Sequence, residues 1–268
     1  MTNNRDSIGA SHRFAYVLGR FSRILPDHEE QFLRWTSVIK PEEIKNMSVV
    51  DAGCGNGRNS FWLAKYGAKT ILAFDIEKQT TKIAAQNLVE IPQCQVIQSS
   101  IYDFTPFVGK EKQYDYVFCI GVIQHLSEPV EALKNLTNFV KPGGRLVMWV
   151  YGKEGNEKLL RLLDRVRYFT SKMPLPIVRF LSDLCGAFTY ILIKVGQPRN
   201  PYLVTAKSWS FRHLASVIFD QLVPPIANYW TRQEVIELAE SSGWEPMRVE
   251  PVNGMSWSLL AEVKHIST

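Results

Sequence analysis

Between residues 47 and 151 short apolar runs alternate with amphipathic stretches. The run 47–52 (MSVVDA) is β-branched, apolar and followed by glycines, the pattern of a strand buried on both faces of a parallel sheet. Helical spacing over 61–66 stops at Gly67, a residue suited to the left-handed position after a helix. A second strand, 69–74, and a second helix, 81–88, follow. A third strand falls at 94–98 and a fourth at 114–120 (YDYVFCI). A helix over 130–140 runs into the turn Pro142-Gly143-Gly144, after which 145–151 (RLVMWVY) reads as a fifth strand. Strands alternating with helices imply right-handed crossovers and a doubly wound α/β fold on a parallel sheet.

Beyond residue 225 the same alternation resumes. Thr231 and Glu234 have the spacing of a capping box opening a helix over 232–242, and Gly243 closes it. Runs at 244–249 and 258–263 form a candidate hairpin on the sheet's edge. The core of the domain is therefore 47–151 together with 226–268, with 1–46 as an N-terminal helical cap carrying an amphipathic helix around 29–39. Residues 152–225 break the pattern and are expected to form a helical lid over the carboxyl edge of the sheet, inside a single domain. Within it, Leu159, Leu162, Leu163, Val166 and Phe169 follow helical spacing, with Arg161, Arg165 and Arg167 on the other side. That apolar face reads first as core packing, and otherwise as part of a greasy lid. The densest apolar stretch, 177–196, has the length of a membrane span but is interrupted by Arg179, Asp183 and Lys194. A lid or a membrane-touching helix fits it better than a span.

With 46% hydrophobic and 21% charged residues in 268, the chain is neither disordered nor collagen-like. Its four cysteines are far apart and no Cys/His spacing suits zinc, so free thiols, no metal and a reducing, cytoplasmic location are expected. The first residues carry no apolar core of a signal peptide. A net charge of +5 hides an asymmetry: residues 151–215 hold 11 Lys+Arg against 4 Asp+Glu, which leaves −2 for all the rest. The basic excess lies in the lid, beside the presumed site, and this weighs against a general nucleic-acid partner.

The sharpest chemical signal is Asp51-Ala52-Gly53-Cys54-Gly55-Asn56-Gly57, directly after the first strand and opening a helix. Glycines there let backbone pass close to a ligand in the crevice where doubly wound sheets bind. The spacing is GxGxG, with Arg58 where a dinucleotide binder has its third glycine, and it lacks the ending of a P-loop. Asp75 closes the second strand, 24 residues after Asp51, where a carboxylate can accept two ribose hydroxyls.

These segments, with YDYVFCIGVIQHL and LTNFVKPGGRLVMWVYG, resemble a class I S-adenosylmethionine-dependent methyltransferase of the bacterial small-molecule type. The resemblance is strong over 47–151 and looser over 226–263, and it implies a Rossmann-like seven-stranded sheet with an antiparallel last strand. It implies S-adenosyl-L-methionine as cofactor. Asp51 would position the glycine loop and the methionine amino group; Gly53, Cys54, Gly55, Asn56 and Gly57 would face the methionine and ribose. Asp75 would hold the ribose hydroxyls, with Ile76 against the adenine. Where many relatives place an Asp for the adenine amino group, this chain has Ser100, with Ile101 beside it. Cys119, Ile120 and Gly121 would border the sulfonium, and Gln124 and His125 would point into the pocket mouth.

His125 has the right ordinary pKa for a general base, though it equally suits packing at a helix start. His213, Asp220 and Tyr229 lie in a segment resembling the family's substrate side and are candidates to bind or deprotonate the acceptor. Asp220 with Pro224 can equally cap and end a helix. The expected activity is in-line methyl transfer, most simply to an oxygen of a small or lipid-like acceptor, with peripheral membrane contact through the lid. RNA methylation, a non-catalytic cofactor-binding scaffold and a nicotinamide-dependent oxidoreductase are the alternatives.

Overall fold

The computed structural model describes residue 13 and residues 23–109, 111–154, 157–197, 201–207 and 209–264. Seven strands form one sheet in the order β3-β2-β1-β4-β5-β7-β6. They are β1 (Ser48–Ala52), β2 (Thr70–Asp75), β3 (Cys94–Gln98), β4 (Tyr114–Ile120), β5 (Val140–Tyr151), β6 (Trp244–Val252) and β7 (Ser256–Val263). The first five are parallel, and β7 runs antiparallel to both β5 and β6. The closing hairpin therefore places its second strand inside the sheet and its first strand at the edge.

Period-two alternation divides the core between the two faces of the sheet. Val50, Leu72, Val117 and Leu146 face one side, where they meet Leu133 and Leu136 of α4 (Pro129–Leu136) and Val235 and Leu238 of α9 (Arg232–Ser241). Val49, Ile71, Phe118 and Val147 face the other, where they meet Phe32 of α1 (Asp27–Trp35) and Trp62 and Leu63 of α2 (Arg58–Lys65). Between β2 and β3 runs α3 (Lys78–Asn87). The Thr231–Glu234 capping box forms: the Thr231 N–H donates to Oε2 of Glu234 at 2.7 Å and the Glu234 N–H to Oγ1 of Thr231 at 3.2 Å.

Two boundaries differ from expectation for physical reasons. β5 starts at Val140, because Pro142-Gly143-Gly144 is taken up in an irregularity of the β4–β5 ladder between the Tyr114 and Tyr116 pairings. The helix before it accordingly stops at Leu136. Helix α1 stops at Trp35, where the Thr36 hydroxyl turns back onto the Phe32 carbonyl at 2.8 Å.

The interval 152–225 holds α5 (Glu157–Thr170), α6 (Leu175–Val195), α7 (Pro201–Ala206) and α8 (Phe211–Leu222). They are joined by small apolar clusters separate from the sheet's core, such as Val178 with Phe219, Leu222 and Val223. α6 lies close on α8: the Ser182 hydroxyl donates to the Ala215 carbonyl at 2.8 Å, and a Cβ on Gly186 would stand 3.1 Å from that of Ala215. On α5 the packing reading fails for most of the stripe: Leu162, Val166 and Phe169 are exposed, Leu163 is half-buried, and the inward face carries Leu160, Arg167 and Thr170. Leu159's side chain lies outside the described residues. Arg13 ties this layer down, donating to the carbonyls of Thr170, Met173 and Val223 at 3.0–3.2 Å.

Candidate functional site

The chain leaves β1 through Gly53, whose φ of +74° a side chain would strain and whose Cβ would stand 2.3 Å from Cγ2 of Val122. Glycine is thus demanded twice, by conformation and by the close approach of the turn after β4. The N–H groups of Gly53 and Cys54 donate to the Phe74 carbonyl at 2.8 and 2.9 Å, which pins the loop to the end of β2.

At that end Asp75 is held by two backbone donors, Gly55 N–H on Oδ2 and Glu77 N–H on Oδ1, both at 3.0 Å. A carboxylate fixed in this way keeps lone pairs for two further hydroxyls. Asp51, wholly buried, accepts the Ser60 hydroxyl on Oδ2 at 2.5 Å while Oδ1 has no hydrogen-bond partner. Burial, together with the charge of Asp75, pushes the Asp51 carboxyl up to about 6. Burial raises Asp75 as well. Among the described residues no ion pair neutralises either group. Two carboxylates without a cation, Asp51 buried and Asp75 half-buried beside a glycine loop, suit a ligand that brings both positive charge and vicinal hydroxyls.

The other predicted cofactor residues divide by what they can offer. Cys54, Cys119 and Ile120 are buried with their side chains in the core clusters, so only their backbone can border a ligand. Burial pushes the Cys119 thiol well up, as befits an inert core residue. Asn56 is buried and its carbonyl accepts the Asn87 amide at 2.8 Å, which joins the loop to α3. Ile76 is half-buried beside Asp75, and its carbonyl accepts the Gln98 amide at 3.2 Å. Ser100 accepts the Tyr102 N–H on its hydroxyl at 3.2 Å, and Ile101 packs on the core.

Facing this loop across the sheet's edge is a polar and aromatic cluster. The turn after β4 carries Gln124 and His125. Gln124 is fully buried, its amide finding no well-formed hydrogen bond and lying within reach of the Tyr151 hydroxyl. His125 places Nδ1 3.0 Å from the Ile226 carbonyl, and burial brings the imidazole down to about 4. A neutral ring then donates its Nδ1–H to that carbonyl. Rings run across the floor: Trp35 on Trp149 at 4.6 Å, Trp149 on Tyr151 at 5.6 Å, and Tyr151 on Tyr229 at 5.4 Å between centroids. His125 meets Tyr151 edge-on at 5.6 Å.

The lid reaches this floor through α8. Asp220 points inward with Oδ1 buried and without a hydrogen bond, and burial pushes its carboxyl up to about 7, with the Arg58 charge pulling the other way. Arg58 lies 5.4 Å over the Trp35 ring and feels Asp220 in turn. The Tyr229 hydroxyl accepts from Arg167 at 2.8 Å and donates to Gln221 at 3.2 Å, so it positions the lid and has no proton to spare for an acceptor. Arg167, only 4% exposed, also bonds Asp164 and the Gln221 carbonyl. It is therefore a structural cation under the lid and does not share the outward face of Arg161 and Arg165. His213 lies on α8, and its side chain is outside the described residues.

The sequence singled out Asp51, Asp75, Gln124, Asp220 and Tyr229, and the fold gathers all five at one edge. It missed Gln221, carried Tyr151 only inside the quoted segments, and named Arg58 only for displacing a glycine. The signal for Tyr151 was its place at the carboxyl end of β5, and for Arg58 its place at the first turn of α2.

Residues 50–148 match a family described as a methyltransferase domain. The chain is 29% identical over 167 residues to a tRNA U34 carboxymethyltransferase of Nautilia profundicola, covering 60% of this chain and 51% of that protein. It is 26% identical over 175 residues to a ubiquinone biosynthesis O-methyltransferase of Vibrio vulnificus, covering 60% of this chain and 73% of that one. The chain thus spans about half the length of the tRNA-modifying relatives. In structure it resembles the 1,6-didemethyltoxoflavin-N1-methyltransferase of Burkholderia thailandensis, solved with S-adenosylhomocysteine bound. There the TM-score is 0.55 and the identity 14%, with 96% of this chain and 91% of that one covered.

Proposed function

We propose that the chain is a class I S-adenosylmethionine-dependent methyltransferase and that it methylates an oxygen of a small or lipid-like acceptor seated between the glycine loop and α8. The observation that carries the cofactor half is the unneutralised pair Asp51 and Asp75. Asp51 Oδ1 suits the ligand's ammonium and Asp75 its ribose diol. When bound, the cofactor would supply a sulfonium methyl group, transferred to the acceptor oxygen as the S–CH3 bond breaks and S-adenosylhomocysteine leaves.

The chain's own contribution on the acceptor side centres on Asp220. A carboxyl near pKa 7, with one buried oxygen left without a hydrogen-bond partner, is matched to accepting a hydroxyl proton at neutral pH. His125, held near 4 with Nδ1 engaged, is a weaker base, and its role here is to seat the 226–230 segment. The Asn228 N–H on the Gln124 carbonyl at 2.8 Å does the same. The ring floor from Trp35 to Tyr229 gives a flat apolar acceptor a surface to stack on and keeps water from the transfer. Orientation of the acceptor supplies most of the remaining acceleration.

The similarity to a tRNA-modifying enzyme favours a second reading, an RNA acceptor. One experiment separates them. A lysate incubated with the chain and methyl-labelled cofactor is split into solvent-extractable and nuclease-sensitive material. Label in the extract, stable to mild alkali, supports the proposal; label released by nuclease supports RNA. In the same assay Asp220→Asn is expected to lower transfer at least about 10²-fold. The wild-type rate is expected to rise with pH through about 7. A variant that keeps both rate and pH profile would remove Asp220 from the reaction.

A further inference from the structure

On α6 the large apolar side chains are not distributed as a core helix requires. Ile177, Phe180, Leu184, Phe188, Ile191 and Val195 recur at spacings of three and four and fall on one face, and each is at least 49% exposed. The stripe runs about 27 Å along the helix at 1.5 Å per residue. The opposite face is the buried one, with Val178, Ser182, Gly186 and Ile193. Arg179, Asp183 and Lys194 are on the flank between, and Arg179 pairs with Asp183 at 3.3 Å. Cations stand at both ends: Lys172 and Arg179 near the start, Lys194 and Lys207 near the finish, where the Lys194 ammonium donates to the Lys207 carbonyl at 2.7 Å.

We infer that α6 is an interfacial helix that lays this stripe into the surface of a membrane bearing anionic lipid. An apolar face flanked by cations, on a helix lying flat, is the pattern that binds such surfaces. By length and composition α6 could cross a membrane. Its inward face, however, is committed to α8 through Ser182 and Gly186, so the helix can offer lipid only one side. A second copy of the chain is the poorer partner: antiparallel pairing of two α6 stripes would set the cations of one end against those of the other. RNA is poorer still, because the stripe between those ends carries no charge for phosphates. The docking surface stands whatever the acceptor proves to be, and it places α8 and Asp220 directly beneath lipid.

The test is co-sedimentation of the full chain with vesicles of phosphatidylcholine alone and with about 30% phosphatidylglycerol, in low and high salt. Preferential binding to the anionic vesicles, weakened by salt, is expected. Phe180→Ser/Phe188→Ser should lower partitioning about tenfold or more. Lys194→Gln and Lys207→Gln should each lower it about fivefold on anionic vesicles, with no effect on neutral ones. S-adenosylhomocysteine affinity, measured on every variant, shows that the fold is kept; if the double serine variant loses it, Phe188→Ser alone carries the comparison. Wild type remaining in the supernatant, or serine variants binding like wild type, overturns the inference. So does light scattering that shows a dimer dissolved by the serine substitutions, or tRNA that displaces the chain from vesicles and binds the serine variants equally.

Discussion

Asp51 holds one oxygen in a hydrogen bond from Ser60 and leaves the other without a partner at the end of β1, and burial, against the Ser60 hydrogen bond and with the charge of Asp75, holds its carboxyl up at about 6. A ligand ammonium would favour the charged form, so binding must draw a proton off wherever the free protein still carries it. Affinity for S-adenosylhomocysteine is accordingly expected to be flat above about pH 7 and to fall up to about tenfold per unit below about 6. Calorimetry across that range, with Asp51→Asn as the variant that loses the slope, checks it; a wild type with no slope would show that Asp51 does not meet the ammonium. This residue and Asp75 were legible in sequence because consecutive parallel strands deliver their ends to one edge. The charge influence of Arg58 on Asp220 was not, since it acts between the first turn of α2 and a lid helix, which only the tertiary fold brings near each other. The inward turn of Arg167 was hidden for the same reason: a basic residue in an amphipathic helix reads as solvated until Tyr229 and Gln221 are brought against it.

At the scale of elements, the glycine loop is the stiffest requirement. Gly53→Ala adds a side chain at positive φ and drives it into Val122, and a loss of about 1–3 kcal/mol of stability is expected, read by thermal or denaturant unfolding. Val122→Ala in the same chain should restore only the part due to collision, so that the double-mutant cycle separates sterics from backbone strain. If Gly53→Ala unfolds like wild type, the close approach of the two turns is not a constraint. β1, β2 and β4 could be read ahead because buried parallel strands are continuous apolar runs, while β3, the half-exposed edge strand, shows only alternation. The start of β5 could not, because Pro-Gly-Gly reads as a turn wherever a ladder irregularity is not foreseen. The apolar stripe of α5 failed differently, since helical periodicity shows that a face exists without showing what it meets.

For the whole molecule, the lid is fastened from two sides. Arg167 and Tyr229 link α5 to the segment that precedes α9, and Arg13 gathers the carbonyls that end α5 and α8. Carbonyls at a helix end lack a helical partner, so one guanidinium can serve those of Thr170 and Val223 together with that of Met173 in the linker. The class of fold was plain from the alternation of strands and helices. That the lid has small apolar clusters of its own, and an outward apolar face, came only with the tertiary packing.

The order of strands also bears on how the protein is made. β7, formed last of the seven, takes the place between β5 and β6, so β5 keeps an unpaired edge until residues 256–263 have been synthesised. That edge is long and greasy, with Leu146, Val147, Met148 and Val150 all fully buried in the finished sheet. A nascent chain waiting with such an edge is open to strand pairing with its neighbours on the polysome. A chain ended at residue 255 is therefore expected to partition into the insoluble fraction on expression, and a soluble, cofactor-binding product would show that the edge is guarded by something other than β7.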